Sequence, residues 1–331
     1  MKAITTSKGH IAIADLEMPE AIAGHVLIRT EYSAISPGTE MGLVRQMPEN
    51  PVALGYSAVG IVECIGDGVS GCQVGDRVAC YGVPYVKHAQ WLAVPTNLTA
   101  PVPDHVDARE AAFAGLGAIA IHALRVADLR FGESAIVVGL GILGNLIAQI
   151  AHAAAYRTVG LDLNPERVSM LARQGLKHAY DDQAKLEADL TETVGAQGAD
   201  AVILCAGGPG EPLINSALGW IRQRGKVVIV GNLSMAFDRG RMFGKEAQVL
   251  ISKAGGPGRY DPGYERDNHD YPIGHVRWTE GRNIGEYIRL LAERRISVEP
   301  LITDLYPLDR AEEAYANYES PSRTIATVIR Y

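Results

Sequence analysis

The chain has 331 residues, of which 47% are hydrophobic and 21% charged, and it contains four cysteines. This length predicts about two domains with buried cores, and the composition excludes both a disordered chain and a disulfide scaffold. The net charge of -7 disfavours nucleic-acid binding, which needs a basic surface. No apolar segment of a secretory signal is present at the N-terminus, so we expect a cytoplasmic protein that acts on a small molecule.

The pattern of predicted elements changes twice along the chain. Residues 1–121 carry short β-rich segments separated by turn residues, for example at 25–30, 58–63 and 90–94, which predicts a β-rich domain. From 122 to 296, apolar strands at 135–138, 158–161, 201–204, 227–230 and 248–252 alternate with helical patterns. This rhythm predicts a parallel sheet covered by helices on both faces. Predicted strands at 299–303 and 324–329 then return residues 297–331 to the first domain.

Two segments depart from this pattern. Residues 134–156 carry no formal charge, but glycines interrupt them, so we expect a buried strand followed by a buried helix and no membrane span. Residues 254–283 are rich in Gly, Pro, Tyr, His and Arg, which predicts a long irregular loop. Such loops commonly form lids or binding loops, and a surface insertion or a dimer contact is the alternative.

The strongest local signal is a glycine-rich turn between a strand and a helix. Gly139, Gly141 and Gly144 follow the strand at 135–138, and a helix is predicted from about Asn145. In a dinucleotide-binding fold these glycines permit the tight turn, the approach of a pyrophosphate, and the packing of the helix on the strand. Asp162 ends the next strand, where a carboxylate accepts hydrogen bonds from ribose hydroxyls. Its negative charge favours NAD over NADP.

Further cofactor contacts are expected at the start of this helix and at the carboxyl ends of the following strands, where ligands bind in doubly wound folds. These residues are Leu143, Cys205, Ala206, Gly231 and Asn232, and Arg167, shortly after Asp162, is expected to cap the adenine side.

Several short motifs occur at the intervals typical of one enzyme family. The segments 54–60 and 74–78, together with the glycine-rich turn, resemble landmarks of the medium-chain dehydrogenase/reductase superfamily. The segments 35–40 and 271–279 are similar to a branch of threonine-dehydrogenase-like and sugar-dehydrogenase-like proteins. The resemblance implies a GroES-like catalytic domain at 1–121 and 297–331, a Rossmann NAD-binding domain at 122–296, and a homodimer or homotetramer.

The zinc ligands of that superfamily are replaced at the matching positions. A cysteine ligand corresponds to Pro37, the histidine of a Gly-His-Glu landmark corresponds to Tyr56, and the third ligand aligns with Gly115. No cysteine occurs between positions 80 and 205, so the four thiolates of a structural zinc lobe are also missing. We therefore predict that no zinc is bound.

Without a metal, side chains must take the hydroxyl proton and stabilise the developing alkoxide. His88 matches a position that lines the substrate cleft of the family, and an imidazole suits proton transfer near neutral pH. We expect His88 to be the base and Tyr56 its partner, with Lys87 lowering the pKa of its neighbours. The alternative is a packed histidine on a strand, and only one of Lys87 and His88 is expected to face the cleft.

The remaining site residues come from the resemblance and from the polar loop. Glu40 is expected to pair with Arg323, which is also assigned to the cofactor-binding set. Residues expected near the substrate are Thr39, Glu40, Tyr260, Tyr264, His269 and Tyr271.

The leading interpretation is a zinc-independent, NAD-dependent oxidoreductase that acts on a secondary alcohol or ketone of a sugar, cyclitol or related polyol. Three alternatives stay open. They are an NADPH-linked enone or quinone reductase, a dehydrogenase of a tetrapyrrole hydroxyethyl group, and a nucleotide-binding protein without catalysis.

Overall fold

A computed structural model describes residues 1–318 and 324–331 of the chain. It contains two compact units. The first comprises Met1–Ala118 and Gly255–Tyr331, and the second comprises Ile119–Ala254. The elements of each unit are given below in chain order.

The N-terminal part of the first unit is mostly β-structure. Its strands are β1 (Lys2–Ser7), β2 (His10–Asp15), β3 (His25–Ala34), β4 (Val52–Ala53), β5 (Ser57–Ile65), β6 (Arg77–Tyr81), β7 (Trp91–Pro95) and β8 (Thr99–Pro101). Its helices are α1 (Pro37–Arg45) and α2 (Ala108–Ala111), and a 3-10 turn covers Thr96–Leu98. Strand β3 shows why these segments form a half-buried sheet, because Ile28 and Thr30 are buried whereas Arg29 between them is exposed.

Helix α3 (Ala114–Ala127) leads the chain into the second unit. The strands of that unit are β9 (Ser134–Val138), β10 (Arg157–Leu161), β11 (Ala179–Tyr180), β12 (Ala199–Leu204), β13 (Ile221–Ile229) and β14 (Gln248–Ile251). Its helices are α4 (Ile142–Ala153), α5 (Pro165–Arg173), α6 (Gln183–Val194), α7 (Glu211–Trp220) and α8 (Arg239–Lys245).

The second unit has a parallel sheet in the order β11-β10-β9-β12-β13-β14. Strand β9 is buried along its whole length, as expected for a central strand covered on both faces. The chain order reverses between β9 and β12, and a doubly wound sheet binds its ligand outside the carboxyl ends of the strands at such a point.

The chain returns to the first unit through α9 (Pro262–Glu265), α10 (Glu280–Ala292), β15 (Ile302–Pro307), α11 (Ala311–Ala316) and β16 (Ala326–Arg330), with 3-10 turns at Glu299–Leu301 and Leu308–Arg310. The larger sheet of this unit has the order β15-β16-β3-β5-β6-β8, and β7 also pairs with β3. A smaller sheet has the order β2-β1-β4.

This architecture confirms the predicted fold class, a β-rich domain joined to a doubly wound parallel sheet. Two boundaries differ from the prediction. Residues 299–301 form a 3-10 turn, with Pro300 in its first positions, and the strand begins only at Ile302. The second unit ends at Ala254 and not at 296, because α10 packs on the first unit, where the Tyr287 hydroxyl donates to the Glu110 carbonyl at 2.8 Å.

The uncharged segment at 134–156 forms strand β9 and helix α4, as predicted. Across the described part of the chain, every helix is too short or too polar to cross a bilayer.

Candidate functional site

The glycine-rich turn of the second unit has the geometry of a phosphate cradle. Gly139 has a positive φ of 89°, and a Cβ added to Gly144 would lie 1.7 Å from the Gly139 carbonyl oxygen. Helix α4 begins at Ile142 with Gly141 as its N-cap, three residues before the predicted start, and its first amides have no intrahelical acceptor. The space beside Gly141 is open, since the nearest atom to an added Cβ is 4.0 Å away. A pyrophosphate fits this turn.

Asp162 stabilises the turn from the end of strand β10. Its Oδ2 accepts a hydrogen bond from the Leu140 amide at 2.6 Å, and its Oδ1 accepts one from the Asn164 amide at 2.8 Å. The Arg167 guanidinium lies 3.4 Å from Oδ2. The side chain of Asp162 therefore has a structural role in addition to the one expected toward the ribose.

The other expected cofactor residues of the second unit lie at the same edge of the sheet. Cys205 and Ala206 follow β12, and a Cβ added to Gly139 would lie 3.1 Å from the Ala206 amide nitrogen. Gly231 and Asn232 follow β13, and a Cβ added to Gly231 would lie 1.9 Å from the Ala206 carbonyl oxygen. Half-buried Leu143 lies in the first turn of α4. Arg323 lies outside the described residues.

Replacement of Gly144 by Ala should destabilise the second unit and weaken dinucleotide binding. The new methyl group would meet a backbone carbonyl that cannot rotate away, so we expect a loss of about 2 kcal/mol in the free energy of unfolding. Gly285→Ala is the matched control, because this glycine lies inside α10 with nothing within 4 Å of an added Cβ. The control should be as stable as the wild type or more so. Urea unfolding and NADH fluorescence titration of both variants provide the measurement, and equal behaviour of the two would contradict the expected clash.

Tyr56 of the first unit lies immediately before strand β5 and is half-buried. Its hydroxyl donates to Ser36 Oγ at 2.5 Å, and its ring meets the Tyr81 ring edge to face with a centroid distance of 5.6 Å. The Thr39 side chain also hydrogen-bonds to Tyr56. Burial, supported by the Glu40 carboxylate, raises the pKa of Tyr56 well above its ordinary value. Tyr56 is therefore a neutral hydroxyl at physiological pH.

His88 lies inside a buried hydrogen-bond network of the first unit. Its Nδ1 is 2.6 Å from Ser33 Oγ, and its Nε2 is 2.9 Å from Glu40 Oε2. Glu40 also accepts a hydrogen bond from the Ser36 amide at 2.7 Å and another from the Tyr315 hydroxyl. His88 has no exposed surface, and protein groups engage both of its ring nitrogens.

This arrangement corrects the expectations for the segment around His88. Residues 82–90 form an irregular connection between β6 and β7 and not a strand, so Lys87 and His88 do not lie on alternating faces of a strand as expected. His88 offers no free nitrogen to a substrate hydroxyl, and it contacts Glu40 directly. Half-buried Lys87 forms no ion pair or hydrogen bond through its ammonium group within residues 1–318 and 324–331. The expected pair of Glu40 with Arg323 involves a residue outside the described part.

The positions that match the zinc ligands of related enzymes hold no ordinary zinc donors. Pro37 and Gly115 have no ligating side chain, and the Tyr56 phenol is held neutral by burial. Among the described residues, no three His, Cys, Asp or Glu side chains are grouped so that they could hold a metal ion. The donor set therefore does not fit a catalytic zinc.

Two of the tyrosines expected near the substrate are engaged within the polar loop. Tyr264 is buried, stacks on Tyr271 with a centroid distance of 5.5 Å, and donates to Thr279 Oγ1 at 2.8 Å. Tyr271 donates to the Asp261 carboxylate. These contacts hold the loop in one conformation. Tyr260 and His269 are exposed.

The structure reveals a buried ionic cluster that the sequence analysis did not identify, formed by Arg259, Glu265 and Glu280 against Tyr81. Arg259 pairs with Glu265 and donates to the Val83 carbonyl at 3.0 Å, and its guanidinium carbon is 5.7 Å from the Tyr81 ring centre. Glu280 is the first residue of α10 and has no exposed surface. In the sequence it follows a threonine N-cap, which resembles an ordinary acidic helix start and gives no sign of burial.

Known proteins that are similar to this chain are dehydrogenases, and the similarity extends over most of its length. A family model described as "Alcohol dehydrogenase GroES-like domain" matches residues 22–121, and one described as "Zinc-binding dehydrogenase" matches residues 142–265. The chain is 25% identical to 2-dehydro-3-deoxy-L-galactonate 5-dehydrogenase of Pseudoalteromonas atlantica, over 90% of this chain and 89% of that protein. It is 24% identical to sorbitol dehydrogenase of Halalkalibacterium halodurans, over 95% of each.

A solved structure shows the same fold. A short chain alcohol dehydrogenase from Escherichia coli CFT073, in complex with NADH, superposes with a TM-score of 0.82 at 18% identity, covering 100% of this chain and 99% of that chain.

Proposed function

The chain belongs to the medium-chain dehydrogenase/reductase superfamily, and on that premise we propose that it is a zinc-independent, NAD-dependent oxidoreductase. Its substrate would be a secondary alcohol, or the corresponding ketone, of a sugar, cyclitol or related polyol. One observation carries this proposal. A neutral tyrosine hydroxyl, Tyr56, stands in place of a metal ligand and is hydrogen-bonded to a second hydroxyl, that of Ser36.

The second unit would hold the cofactor. The amides at the start of α4 would bind the pyrophosphate, and Asp162 would bind the adenosine ribose. When bound, the nicotinamide ring accepts or donates the hydride. The carboxylate of Asp162 disfavours a 2′-phosphate by charge repulsion, which supports NAD over NADP.

The first unit would handle the proton through Tyr56 and Ser36. During oxidation, the substrate hydroxyl passes its proton to the Tyr56 oxygen, Tyr56 passes its own proton to Ser36 Oγ, and Ser36 releases its hydroxyl proton to water. Both groups are neutral before the transfer, so burial does not oppose this arrangement. During reduction the same hydroxyl donates a hydrogen bond to the carbonyl oxygen, where negative charge develops.

His88 would be a positioning residue in this mechanism. It holds the Glu40 carboxylate by the 2.9 Å contact, and Glu40 in turn fixes the Ser36 backbone at the N-terminal end of α1. The orientation of the Ser36 hydroxyl toward Tyr56 therefore depends on the buried pair of His88 and Glu40. We assign Lys87 no direct step, because it forms no hydrogen bond to Tyr56 or Ser36 in the described structure.

The polyol substrate class rests on what the relatives act on and on the polar loop of the first unit. The curated relatives include a sorbitol dehydrogenase and a dehydrogenase of a deoxysugar acid. Exposed Tyr260 and His269 offer polar groups and ring faces of the kind that bind hydroxylated molecules.

A spectrophotometric assay tests the proposal. The purified protein is incubated with a panel of polyols and either NAD or NADP, and reduced cofactor is followed at its absorbance band. We expect turnover with at least one polyol and NAD, and no loss of rate after chelation of divalent metals. Turnover of quinones or enones with NADPH alone would support the reductase alternative, and cofactor binding without turnover of any substrate would support the non-catalytic one.

Asp162→Asn tests the assignment of cofactor preference. The amide removes the negative charge and keeps one acceptor oxygen, so it can accept only one of the two hydrogen bonds from the Leu140 and Asn164 amides. We expect the wild type to bind NADH more tightly than NADPH, and the variant to lose about tenfold of that preference. Fluorescence titration of both cofactors measures it. A wild type that prefers NADPH would contradict the assignment.

A further inference from the structure

The ionic cluster of the first unit contains buried polar atoms without partners. Among the described residues, the Nε of Arg259 has no acceptor and the carboxyl oxygens of Glu280 have no N–H or hydroxyl donor, while the one side-chain hydrogen bond of Glu280 is shared with the Glu265 carboxylate. Such atoms are rare in folded proteins, because each has given up its hydrogen bonds to water. An unpaired guanidinium nitrogen beside a carboxyl with one oxygen to spare indicates a place where another polar group binds.

The charges of the cluster define what that group must be. Arg259 is balanced by Glu265, with which it forms a buried ion pair. Glu280 is thus a second acid in a region whose positive charge is already compensated. Burial raises the pKa of Glu280 to about 9, and the nearby Glu265 carboxylate contributes in the same direction. A neutral Glu280 donates its proton to Glu265 and keeps an oxygen that accepts a hydrogen bond, and Arg259 Nε donates one.

The local backbone brings Glu280 close to Tyr81. A Cβ added to Gly255 would lie 3.0 Å from the Glu280 Cβ and 2.8 Å from Tyr81 Cε1, so a glycine is required where these side chains approach. The Glu280 amide donates to the Pro257 carbonyl at 2.8 Å, which fixes the start of α10 against the loop.

The cluster adjoins the proton carrier and an exposed side chain. The Tyr81 ring meets the Tyr56 ring, with a centroid distance of 5.6 Å. The Tyr260 ring lies 4.0 Å from the Arg259 guanidinium carbon and is 57% exposed. On that side, Arg259 is therefore covered by the side chain of a surface residue, Tyr260, and not by core residues.

We propose that Glu280 and Arg259 Nε form a subsite for a hydroxyl group of the substrate, beside the oxygen that contacts Tyr56. This inference rests on the proposed function. The required ligand is a neutral oxygen that can donate and accept, which describes a polyol hydroxyl and also a water molecule. The polyol hydroxyl would displace the water when substrate binds, so Glu280 determines preference for substrates with a second hydroxyl group.

Difference infrared spectroscopy on the full-length protein, with sorbitol as the probe and no cofactor, tests the subsite. At pH 7 the wild type should show a neutral carboxyl band that Glu280→Gln lacks. The matched control Glu293→Gln should keep the band, because Glu293 lies at the other end of α10 in an ion pair with Arg289. Sorbitol should shift the wild-type band. A band that sorbitol leaves unchanged would show a water site only and would overturn the proposal.

Kinetics then separate this inference from the proposed function. With a polyol that the wild type oxidises, Glu280→Leu, which removes the acceptor oxygen, should raise KM about tenfold and change kcat little, whereas Glu280→Gln keeps an amide oxygen and should leave KM near the wild-type value. An unchanged KM for Glu280→Leu beside normal wild-type turnover overturns the subsite and leaves the proposed function standing. If the wild type oxidises no polyol, the proposed function fails, and the spectroscopic result still decides whether the subsite binds a polyol.

Discussion

Tyr56→Phe should lower kcat for polyol oxidation by about a hundred- to a thousandfold, the range usual for loss of a proton-transfer group. The variant keeps the ring that packs edge to face on Tyr81 and loses only the hydroxyl that bonds to Ser36. Binding of NADH should stay within about twofold of the wild type, because the cofactor residues belong to the second unit. Steady-state kinetics together with NADH titration measure both effects.

Tyr85→Phe is the control for this experiment. Tyr85 also belongs to the first unit, its ring lies 5.9 Å from the His25 ring, and its hydroxyl has no hydrogen-bond partner in the described part of the chain. Its kinetics should match the wild type. If Tyr56→Phe retained full turnover, the tyrosine would not be the proton carrier.

Glu280→Gln should be more stable than the wild type at neutral and alkaline pH. Burial raises the pKa of Glu280 from 4.5 to about 9, so between these values the folded protein holds a proton that the unfolded chain has released. The contribution of this group to the free energy of unfolding therefore falls as pH rises through that window. Glutamine does not titrate, so the gain should be about 3 kcal/mol near pH 7 and should shrink toward pH 5.

Urea unfolding of both proteins at pH 5, 7 and 9 provides the measurement, with Glu293→Gln as the control that should show no widening gap. Equal pH profiles for Glu280→Gln and the wild type would contradict a neutral buried carboxyl. The charged and titratable groups that act on Glu280 or are acted on by it are Arg259, Glu265, Tyr81, Tyr264 and Tyr271.

The proposed cofactor-binding residues of the second unit are readable from sequence because they are local. Gly139, Gly141 and Gly144 lie within one turn, and Asp162 ends the next strand, so the spacing alone predicts that backbone amides and a carboxylate meet. The strand order follows from the same alternation of strands and helices.

The proposed catalytic residues of the first unit depend on contacts between residues that are distant in the sequence. His88 was expected to face the substrate, but Glu40, 48 positions away, and Ser33, 55 positions away, engage its two nitrogens. The burial of Glu280 likewise depends on Tyr81 and the loop that carries Arg259. No periodicity or motif marks such pairings, because they are created by the packing of β-strands and loops within the first unit.

The most direct test of the central claim is isotope transfer from deuterated cofactor. Protein stripped of metal by chelation, and shown by elemental analysis to lack zinc, is incubated with a panel of ketoses and NADH in which both hydrogens of the reactive ring carbon are replaced by deuterium. We expect a polyol product with one deuterium on the former carbonyl carbon, formed at the rate of the untreated protein. Product formation that requires stoichiometric zinc, or product without deuterium at that carbon, would contradict it.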